Sequence, residues 1–183
     1  MFGECFAQGL FILAKISNIP MAMQCVIRPI IPTDNKTLAV VLRRVLVEFG
    51  VPKKGTAYAD PELDAMYEAY AKPKHAYWVV ACDGEILGGA GIAPLQNGLP
   101  HICELQKMYF DPKARGKGLG QQMIAALLDV ARSFGFAMCY LETMPNMTAA
   151  QQRYKANGFD YIDAPMGNTG HYSCPVWMTK SLV

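Results

Sequence analysis

Apolar and polar positions follow two periods along this chain, and together they predict a mixture of strands and helices. Short apolar or alternating runs bounded by turn residues predict strands at 25–28, 77–82, 85–94, 102–110 and 137–143, and extended chain from 161 and over 172–179. Apolar stripes at helical spacing predict helices that begin at Thr33 or Asp34, at Asp60, at Leu119 and at Thr148. In the second of these helices the stripe consists of Leu63, Met66, Tyr67 and Tyr70.

The order of these elements predicts how they pair. Short turns join the three middle strands, which are therefore expected to run antiparallel. The strand–helix–strand unit over 102–143 is expected to be parallel and right-handed. An α/β fold of the mixed α+β type follows, with one mixed sheet and helices on both of its faces.

Composition narrows the class of protein. The chain has 183 residues, of which 52% are hydrophobic and 17% charged, and its net charge is +2. These values fit one globular domain with a substantial core and exclude a repeat array or a basic nucleic-acid coat. The longest apolar run, 9–14, is far shorter than the roughly 20 residues that span a bilayer. We therefore expect neither a nucleic-acid nor a membrane partner.

The first 24 residues stand apart from the rest. They are apolar around 6–14 but lack the basic start and small-residue cleavage site of a signal peptide. We interpret 1–24 as an extension of unknown role, with a helix that covers a sheet edge or partner as the alternative. The functional domain is predicted to be 25–183, and the absence of a recognisable export signal favours the cytoplasm.

The six cysteines, at 5, 25, 82, 103, 139 and 174, form no CxxC pair. We expect six free thiols, as in a reducing compartment. His101 with Cys103, and His171 with Cys174, lack the spacing of a zinc site, so no metal is predicted.

The strongest motif is the glycine loop Arg115–Gly120, which lies between a predicted strand and a predicted helix. Closely spaced glycines let backbone N–H groups approach a ligand, and the helix N-terminus attracts anions. Arg115 and Lys117 add positive charge, so the loop predicts a phosphate site. Its spacing fits neither the nucleotide P-loop nor the dinucleotide fingerprint.

The run Cys103–Gly120 resembles the fourth strand and following loop of the GNAT superfamily of N-acetyltransferases, whose acetyl-CoA signature is Q/R-x-x-G-x-G/A. The segment 140–143 resembles the fifth strand of that family, and Tyr154–Phe159 resembles its Y-x-x-x-G-F motif. The resemblance extends over 25–181. It implies a GNAT-like acyl-CoA N-acyltransferase fold, with a mixed sheet of six to seven strands and about four helices.

The resemblance also implies that acetyl-CoA is the co-substrate. The backbone of Met108, Tyr109 and Phe110 would pair with the pantetheine arm, and the parallel strands would splay after a bulge in the fourth. The residues expected to surround the pyrophosphate are Arg115, Gly116, Lys117, Gly118, Leu119, Gly120 and Gln121.

Two residues are candidate catalysts by the same resemblance. Glu104 lies in an otherwise apolar strand, where burial would raise its pKa and make it a useful base; a structural glutamate is the alternative, and Glu142 is its rival. Tyr154 is the candidate acid, with a packed aromatic ring as the alternative. Many relatives carry Asn seven residues before this tyrosine, whereas this chain has Met147, which puts a coenzyme contact from the adjacent Asn146 in doubt.

The resulting hypothesis is acetyl transfer from acetyl-CoA to a primary amine of a small molecule or amino acid, by direct attack in a ternary complex. A non-catalytic acyl-CoA-binding module and an enzyme that acts on a protein N-terminus or lysine are the alternatives. A route through an acetylated Cys82 or Cys139 is less favoured because neither has a basic partner nearby in sequence.

The acidic run 60–68 is interpreted as a solvated helix face. Whether the protein forms a homodimer is left open.

Overall fold

A computed structural model describes residues 23–183 of the chain. The strands are β1 Cys25–Pro29, β2 Ala76–Cys82, β3 Glu85–Pro94, β4 Ile102–Phe110, β5 Met138–Thr143, β6 Asp160–Ile162 and β7 Val176–Ser181. The α-helices are α1 Asn35–Glu48, α2 Met66–Tyr70, α3 Leu119–Ser133 and α4 Thr148–Ala156. Short 3-10 turns cover Pro32–Asp34, Ala57–Ala59, Pro61–Asp64 and Pro112–Ala114.

The strands form one sheet in the order β1-β2-β3-β4-β5-β7-β6. β4 and β5 are parallel, and the other neighbouring strands are antiparallel. The predicted mixed α/β class, with six to seven strands and about four helices, is confirmed within the described part of the chain, which has seven strands and four α-helices. The parallel pairing extends from Ile102 to Glu104 of β4, and beyond Glu104 the two strands no longer pair.

Alternate residues of the central strands enter two different cores. In β2, Val80 joins the core under α3 and α4, whereas its neighbour Val79 joins the core under α1 and α2. The first core contains Met123 and Leu127 of α3, and the second contains Leu42 of α1. This period of two confirms that helices cover both faces of the sheet.

The segment that follows Asp60 is less regular than predicted. A 3-10 turn over Pro61–Asp64 is separated from α2 by Ala65, whose φ of −140° and ψ of 47° are not helical. The predicted apolar stripe is therefore wrong at Tyr67, which is 36% exposed, although the other three predicted positions are buried. The break at Ala65 changes the rotation between residues, so one helical period does not run through the segment.

The expectation of six free thiols is wrong for one pair. Cys25 and Cys82 form a disulfide between β1 and β2. The antiparallel register places these two residues directly opposite each other, although they lie 57 residues apart in the sequence. Cys103, Cys139 and Cys174 are free, and Cys5 lies outside the described residues.

The predicted extension, 1–24, lies outside the described residues apart from Met23 and Gln24. Within 23–183, none of the helices has the length and apolar character needed to cross a membrane.

Candidate active site

A bulge in β4 organises the centre of the sheet. On β3, Gly91 lies opposite Gln106 and Gly89 lies opposite Tyr109, so both Lys107 and Met108 fall opposite a single β3 residue. Lys107 takes a left-handed φ of 50°, and its carbonyl accepts a hydrogen bond from the Tyr77 hydroxyl at 3.0 Å. As a result, neighbouring residues of one strand line different cavities: Lys107 lines one, and Met108 lines the other.

The first cavity, called here the glycine-loop cleft, has a volume of about 340 Å³. The end of β4, the glycine loop, α1 and α4 contribute its walls. The lining residues are Val45, Phe49, Met108, Tyr109, Phe110, Ala114, Arg115, Gly116, Gly118, Leu119, Gly120, Asn146, Met147, Thr148, Ala149, Ala150, Arg153 and Tyr154. Eight of the ten residues predicted to bind the coenzyme are thus brought together with the predicted acid.

Two glycines give the loop its shape. Gly116 has a φ of 74° and Gly118 a φ of 75°, a region that other residues enter at a cost. Gly118 immediately precedes α3, which begins at Leu119. The first turn of a helix carries N–H groups without intrahelical partners and a positive partial charge. The loop therefore brings the unpaired N–H groups at the start of α3 to the wall of the cleft; phosphate binding there stays a prediction.

Arg115 ties the loop to two other elements. Its guanidinium donates to both carboxylate oxygens of Glu48, at 2.6 and 2.7 Å, and its Nε donates to the carbonyl of Phe110 at 2.8 Å. It also lies 5.0 Å from the centre of the Phe49 ring. Because Glu48 balances its charge, Arg115 acts in this structure first as a brace for the loop.

Two predicted coenzyme residues do not line the cleft. The ammonium of Lys117 lies 3.1 Å from the sulfur of Met23, and Gln121 exchanges amide hydrogen bonds with Asn157 at 2.7 and 2.9 Å. Sequence reasoning missed Arg153, which lines the cleft, is exposed, and makes no side-chain hydrogen bond within 23–183. The signal that could have found it is helical spacing, because Arg153 follows Ala149 and Ala150 by four and three residues and these two also line the cleft.

Tyr154 reaches the cleft from α4. It is 7% exposed, its ring packs edge-on against Phe159 with 6.0 Å between the centres, and burial raises its pKa. Both Met147 and Asn146 line the cleft as well, and the Asn146 amide donates to the carbonyl of Phe49 at 2.9 Å. That bond directs the amide nitrogen of Asn146 to the protein itself.

The second cavity, called here the polar pocket, has a volume of about 560 Å³. It lies on the Lys107 side of the bulge. The lining residues are Asp60, Pro61, Glu62, Ala69, Tyr70, His75, Ala93, Pro94, Leu95, Gln96, Gln106, Lys107, Thr169 and His171.

Glu104 lies behind this lining and is joined to it by hydrogen bonds. The carboxyl is buried, with 3% of the residue exposed, and Gln106 donates to its Oε2 at 2.6 Å. Tyr70 donates in turn to the Gln106 amide oxygen at 2.7 Å. Burial raises the pKa of Glu104 to about 7, against the effect of the Gln106 hydrogen bond, and the nearby Glu142 acts in the same direction as burial.

Glu104, Glu142 and His171 form a cluster in which one oxygen or nitrogen of each lies within 4.8 Å of the others. A divalent cation could be held at that spacing. Protein hydrogen bonds nevertheless account for both Glu142 oxygens, because Tyr140 donates to one at 2.7 Å and Thr169 donates to the other at 2.9 Å. Both Glu142 oxygens are therefore already used as hydrogen-bond acceptors within the protein.

The acidic run is only partly a solvated face, which corrects the sequence interpretation. Asp60 lies 2.8 Å from the ammonium of Lys107, and Glu62 lies 3.5 Å from it. The Lys107 side chain is 3% exposed, so this buried cation needs carboxylate partners. Asp60 also contacts the His171 ring at 3.4 Å. Burial lowers the pKa of His171, but Asp60 and Glu104 outweigh that effect and the pKa is raised.

With this geometry in place, the comparisons with known proteins identify the class. The profile of the Acetyltransferase (GNAT) family matches residues 44–159, and the chain belongs to that family. It is similar, at 46% identity over 158 residues, to the uncharacterized N-acetyltransferase YjgM of Escherichia coli, with 86% of this chain and 95% of YjgM covered. The protein is accordingly an acyltransferase.

Solved structures agree on the fold. A GNAT-family acetyltransferase from Staphylococcus aureus superposes with a TM-score of 0.77 at 19% identity, covering 87% of this chain and all (100%) of the other. The acetyltransferase yncA from Salmonella typhimurium, solved with its cofactor acetyl-CoA, superposes with a TM-score of 0.68 at 20% identity, covering 87% and 95%.

Proposed function

We propose that this protein is an acetyl-CoA-dependent N-acetyltransferase that acetylates a small primary amine by direct attack in a ternary complex. One observation carries the proposal: the β4 bulge separates a cleft with an anion-binding loop from a pocket connected to a buried carboxyl group of raised pKa. The two substrates of such a transfer must meet, and the cavities lie on either side of the same bulge. Acetyl-CoA dependence favours the cytoplasm, where disulfides are rare; the Cys25–Cys82 bond is the observation that speaks against it.

The residues of the glycine-loop cleft fit acetyl-CoA. Left-handed Gly116 and Gly118 leave the loop backbone free of side chains, and the start of α3 favours phosphate. Arg153 supplies a positive charge that no carboxylate within 23–183 balances. Beyond Glu104 the unpaired edge of β4 is free to bond an extended ligand arm, which is the role proposed for Met108 to Phe110.

The polar pocket supplies the base. A primary amine has a pKa of about 10 and must lose a proton before its nitrogen can attack a thioester carbonyl. Glu104 would accept that proton, directly or through water, since its own raised pKa lies close to neutral pH. As the C–N bond forms, the C–S bond breaks, and the leaving thiolate takes a proton from the Tyr154 hydroxyl.

The cysteines support direct attack rather than an acetyl-cysteine route. Cys139 is fully buried, and burial raises its pKa well above the usual value, so the nucleophilic thiolate is disfavoured. Cys82 is bonded to Cys25 and has no free thiol. Membership of an acetyltransferase family also favours an enzyme over a non-catalytic acyl-CoA-binding module.

The pocket favours a small acceptor over a protein chain. Its volume of about 560 Å³ lies in the range of small-molecule sites, roughly 300 to 1,000 Å³. Segments 60–62, 93–96 and 169–171 line it together, so several elements enclose the ligand.

The test is thiol release from acetyl-CoA with a panel of amines, compared with acetyl-CoA binding measured by calorimetry. We expect amine-dependent thiol release and one equivalent of acetylated amine for each thiol. Reactions without amine provide the baseline. Tight acetyl-CoA binding with no amine-dependent release across the panel would contradict the proposed activity.

A further inference from the structure

We infer that the acceptor is a small amine that carries a second positive charge and no carboxylate, with the polar pocket selecting it by charge. This inference rests on the proposed function and specifies the substrate class of that same site.

Carboxyl groups outnumber basic groups in and behind the polar pocket by four to three. Asp60 and Glu62 line it, and the network behind it contains Glu104 and Glu142. The basic groups are Lys107, His171 and His75. The acidic groups favour cationic ligands, because a carboxylate that enters the pocket must approach Asp60 and Glu62 while it loses water.

The basic groups are already engaged by the protein. The ammonium of Lys107 pairs with Asp60 and Glu62, and the His171 ring contacts Asp60. The Nδ1 of His75 donates to the carbonyl of Pro73 at 2.8 Å. An acceptor with a carboxylate would have to compete with Asp60 and Glu62 for Lys107. A second ammonium can instead share the oxygens of Asp60 and Glu62 with Lys107, because a carboxylate oxygen accepts more than one hydrogen bond.

The neutral hydrogen-bond donors around the polar pocket are already bonded to protein acceptors, so they do little to stabilise a ligand carboxylate. The hydroxyl of Thr169 is directed to Glu142, the amide of Gln106 to Glu104, and the hydroxyl of Tyr70 to Gln106. By contrast, Oε1 of Glu104 receives no hydrogen bond from any described residue, and this oxygen keeps some contact with solvent although the residue is only 3% exposed. An ammonium or amine N–H would supply the donor that this oxygen lacks.

A series of amines with the same carbon chain separates charge from size. Putrescine, n-butylamine and γ-aminobutyrate differ in carrying a second ammonium, a methyl group or a carboxylate at the far end. We expect kcat/KM to fall in that order, by about tenfold or more at each step. Tyramine and tyrosine extend the comparison to an α-carboxylate, and tyramine is expected to be the better acceptor.

The variant Glu62→Gln tests the cause. Glu62 lies 3.5 Å from Lys107 and its side chain is 49% exposed, so the fold should tolerate the change. Loss of one carboxylate should lower kcat/KM for putrescine severalfold and raise it for γ-aminobutyrate, because Lys107 then has one partner fewer. Glu68→Gln is the matched control: this acid lies in the same acidic run but bonds Asn35, outside the pocket.

The outcomes distinguish the inference from the proposed function. If γ-aminobutyrate or tyrosine is used as well as the matched amine, the charge selection is wrong while the acetyltransferase remains. An unchanged preference in Glu62→Gln also overturns it. Should none of these compounds release thiol in an enzyme that binds acetyl-CoA and acetylates other amines, the assigned substrate class is wrong. If no amine causes thiol release, both the proposed acetyltransferase activity and the proposed charge selection are wrong.

Discussion

The two cavities beside the β4 bulge are built in different ways. The glycine-loop cleft draws nine of its lining residues from the contiguous stretch 108–120, and two glycines in that stretch take left-handed backbone conformations. The polar pocket joins segments that are far apart in the chain, through side-chain contacts such as Asp60 with His171, which are 111 residues apart. The cleft therefore depends strongly on one contiguous segment and its backbone conformation, whereas the polar pocket depends on side-chain contacts between distant segments.

The difference has consequences for substitution. A cleft made of backbone tolerates many side-chain changes but depends on the few positions that need a left-handed φ. A pocket made of coupled charges responds to each change, because Asp60 holds both Lys107 and His171, and Glu104 feels the charge of Glu142. The following variants test that contrast, beginning with the largest effect.

Glu104→Gln should have the largest effect. The amide keeps an oxygen that can accept the Gln106 hydrogen bond, but it cannot take a proton from the amine. We expect kcat to fall by roughly 100-fold to 10,000-fold, with acetyl-CoA affinity unchanged. In the parent enzyme kcat/KM should rise with pH through about 7, where Glu104 becomes the carboxylate, and this step should be absent in the variant. Steady-state rates from pH 5.5 to 9 would be measured.

Glu142→Gln serves as the comparison for Glu104. Tyr140 and Thr169 both donate to this carboxylate, so it is expected to orient neighbours rather than to accept the proton. The rate should fall less than in Glu104→Gln, and the pH step should remain, displaced to lower pH because a like charge has been removed. If kcat falls more in Glu142→Gln than in Glu104→Gln, then Glu142 is the proton acceptor and Glu104 orients its neighbours.

Gly118→Asp should have the next largest effect, now on the coenzyme side. Gly118 has a φ of 75° directly before α3, and the nearest atom to an added Cβ is 3.9 Å away in Gln122. Space is therefore available; the left-handed φ strains any side chain added there, and the negative charge beside bound phosphate is expected to cause the larger loss. We expect acetyl-CoA affinity measured by calorimetry to fall about 100-fold.

Gly118→Asn is the matched control for that charge. Asn and Asp have similar size, both tolerate a left-handed φ, and both can precede a helix. The Asn variant should retain most of the affinity that the Asp variant loses. Equal losses in the two variants would assign the effect to backbone strain, and unchanged affinity in both would show that the phosphate is bound elsewhere.

The contrast between the cavities also explains what the sequence could predict. Periodicity and the glycine motif act over short distances, so most of the elements, both helical faces and the loop before Leu119 were predicted. The helix expected from Asp60 was the exception, because the chain is broken at Ala65. Glu104 was singled out because one acid in an apolar strand is locally visible, and the structure shows it buried. Features that depend on how distant segments pair could not be predicted from local patterns. The Cys25–Cys82 bond is one of them, because it follows from the register between β1 and β2.

The polar pocket was hidden for the same reason. Asp60 and Glu62 look like solvated helix residues until β4 brings Lys107 beside them. The sequence predicted a bulge in β4 but not its exact residues, because the pairing of β4 with β3 determines which residues are left out of the register. Arg153 was missed because its signal is its helical spacing from Ala149 and Ala150, which matters only once that face of α4 is known to line the cleft.

Tyr154→Phe should have the smallest effect. It tests whether the Tyr154 hydroxyl, at the glycine-loop cleft, protonates the thiolate that leaves when the amine attacks. The phenol ring packs against Phe159, and its hydroxyl makes no hydrogen bond within the described chain, so Phe should preserve the packing. We expect kcat to fall about tenfold with acetyl-CoA affinity unchanged, because the leaving thiolate loses a proton donor. Tyr161→Phe is the control, since Tyr161 is 53% exposed and bonds Gln151 outside the cleft. An unchanged kcat in Tyr154→Phe would show that this ring only packs, and the proton for the thiolate would then come from solvent.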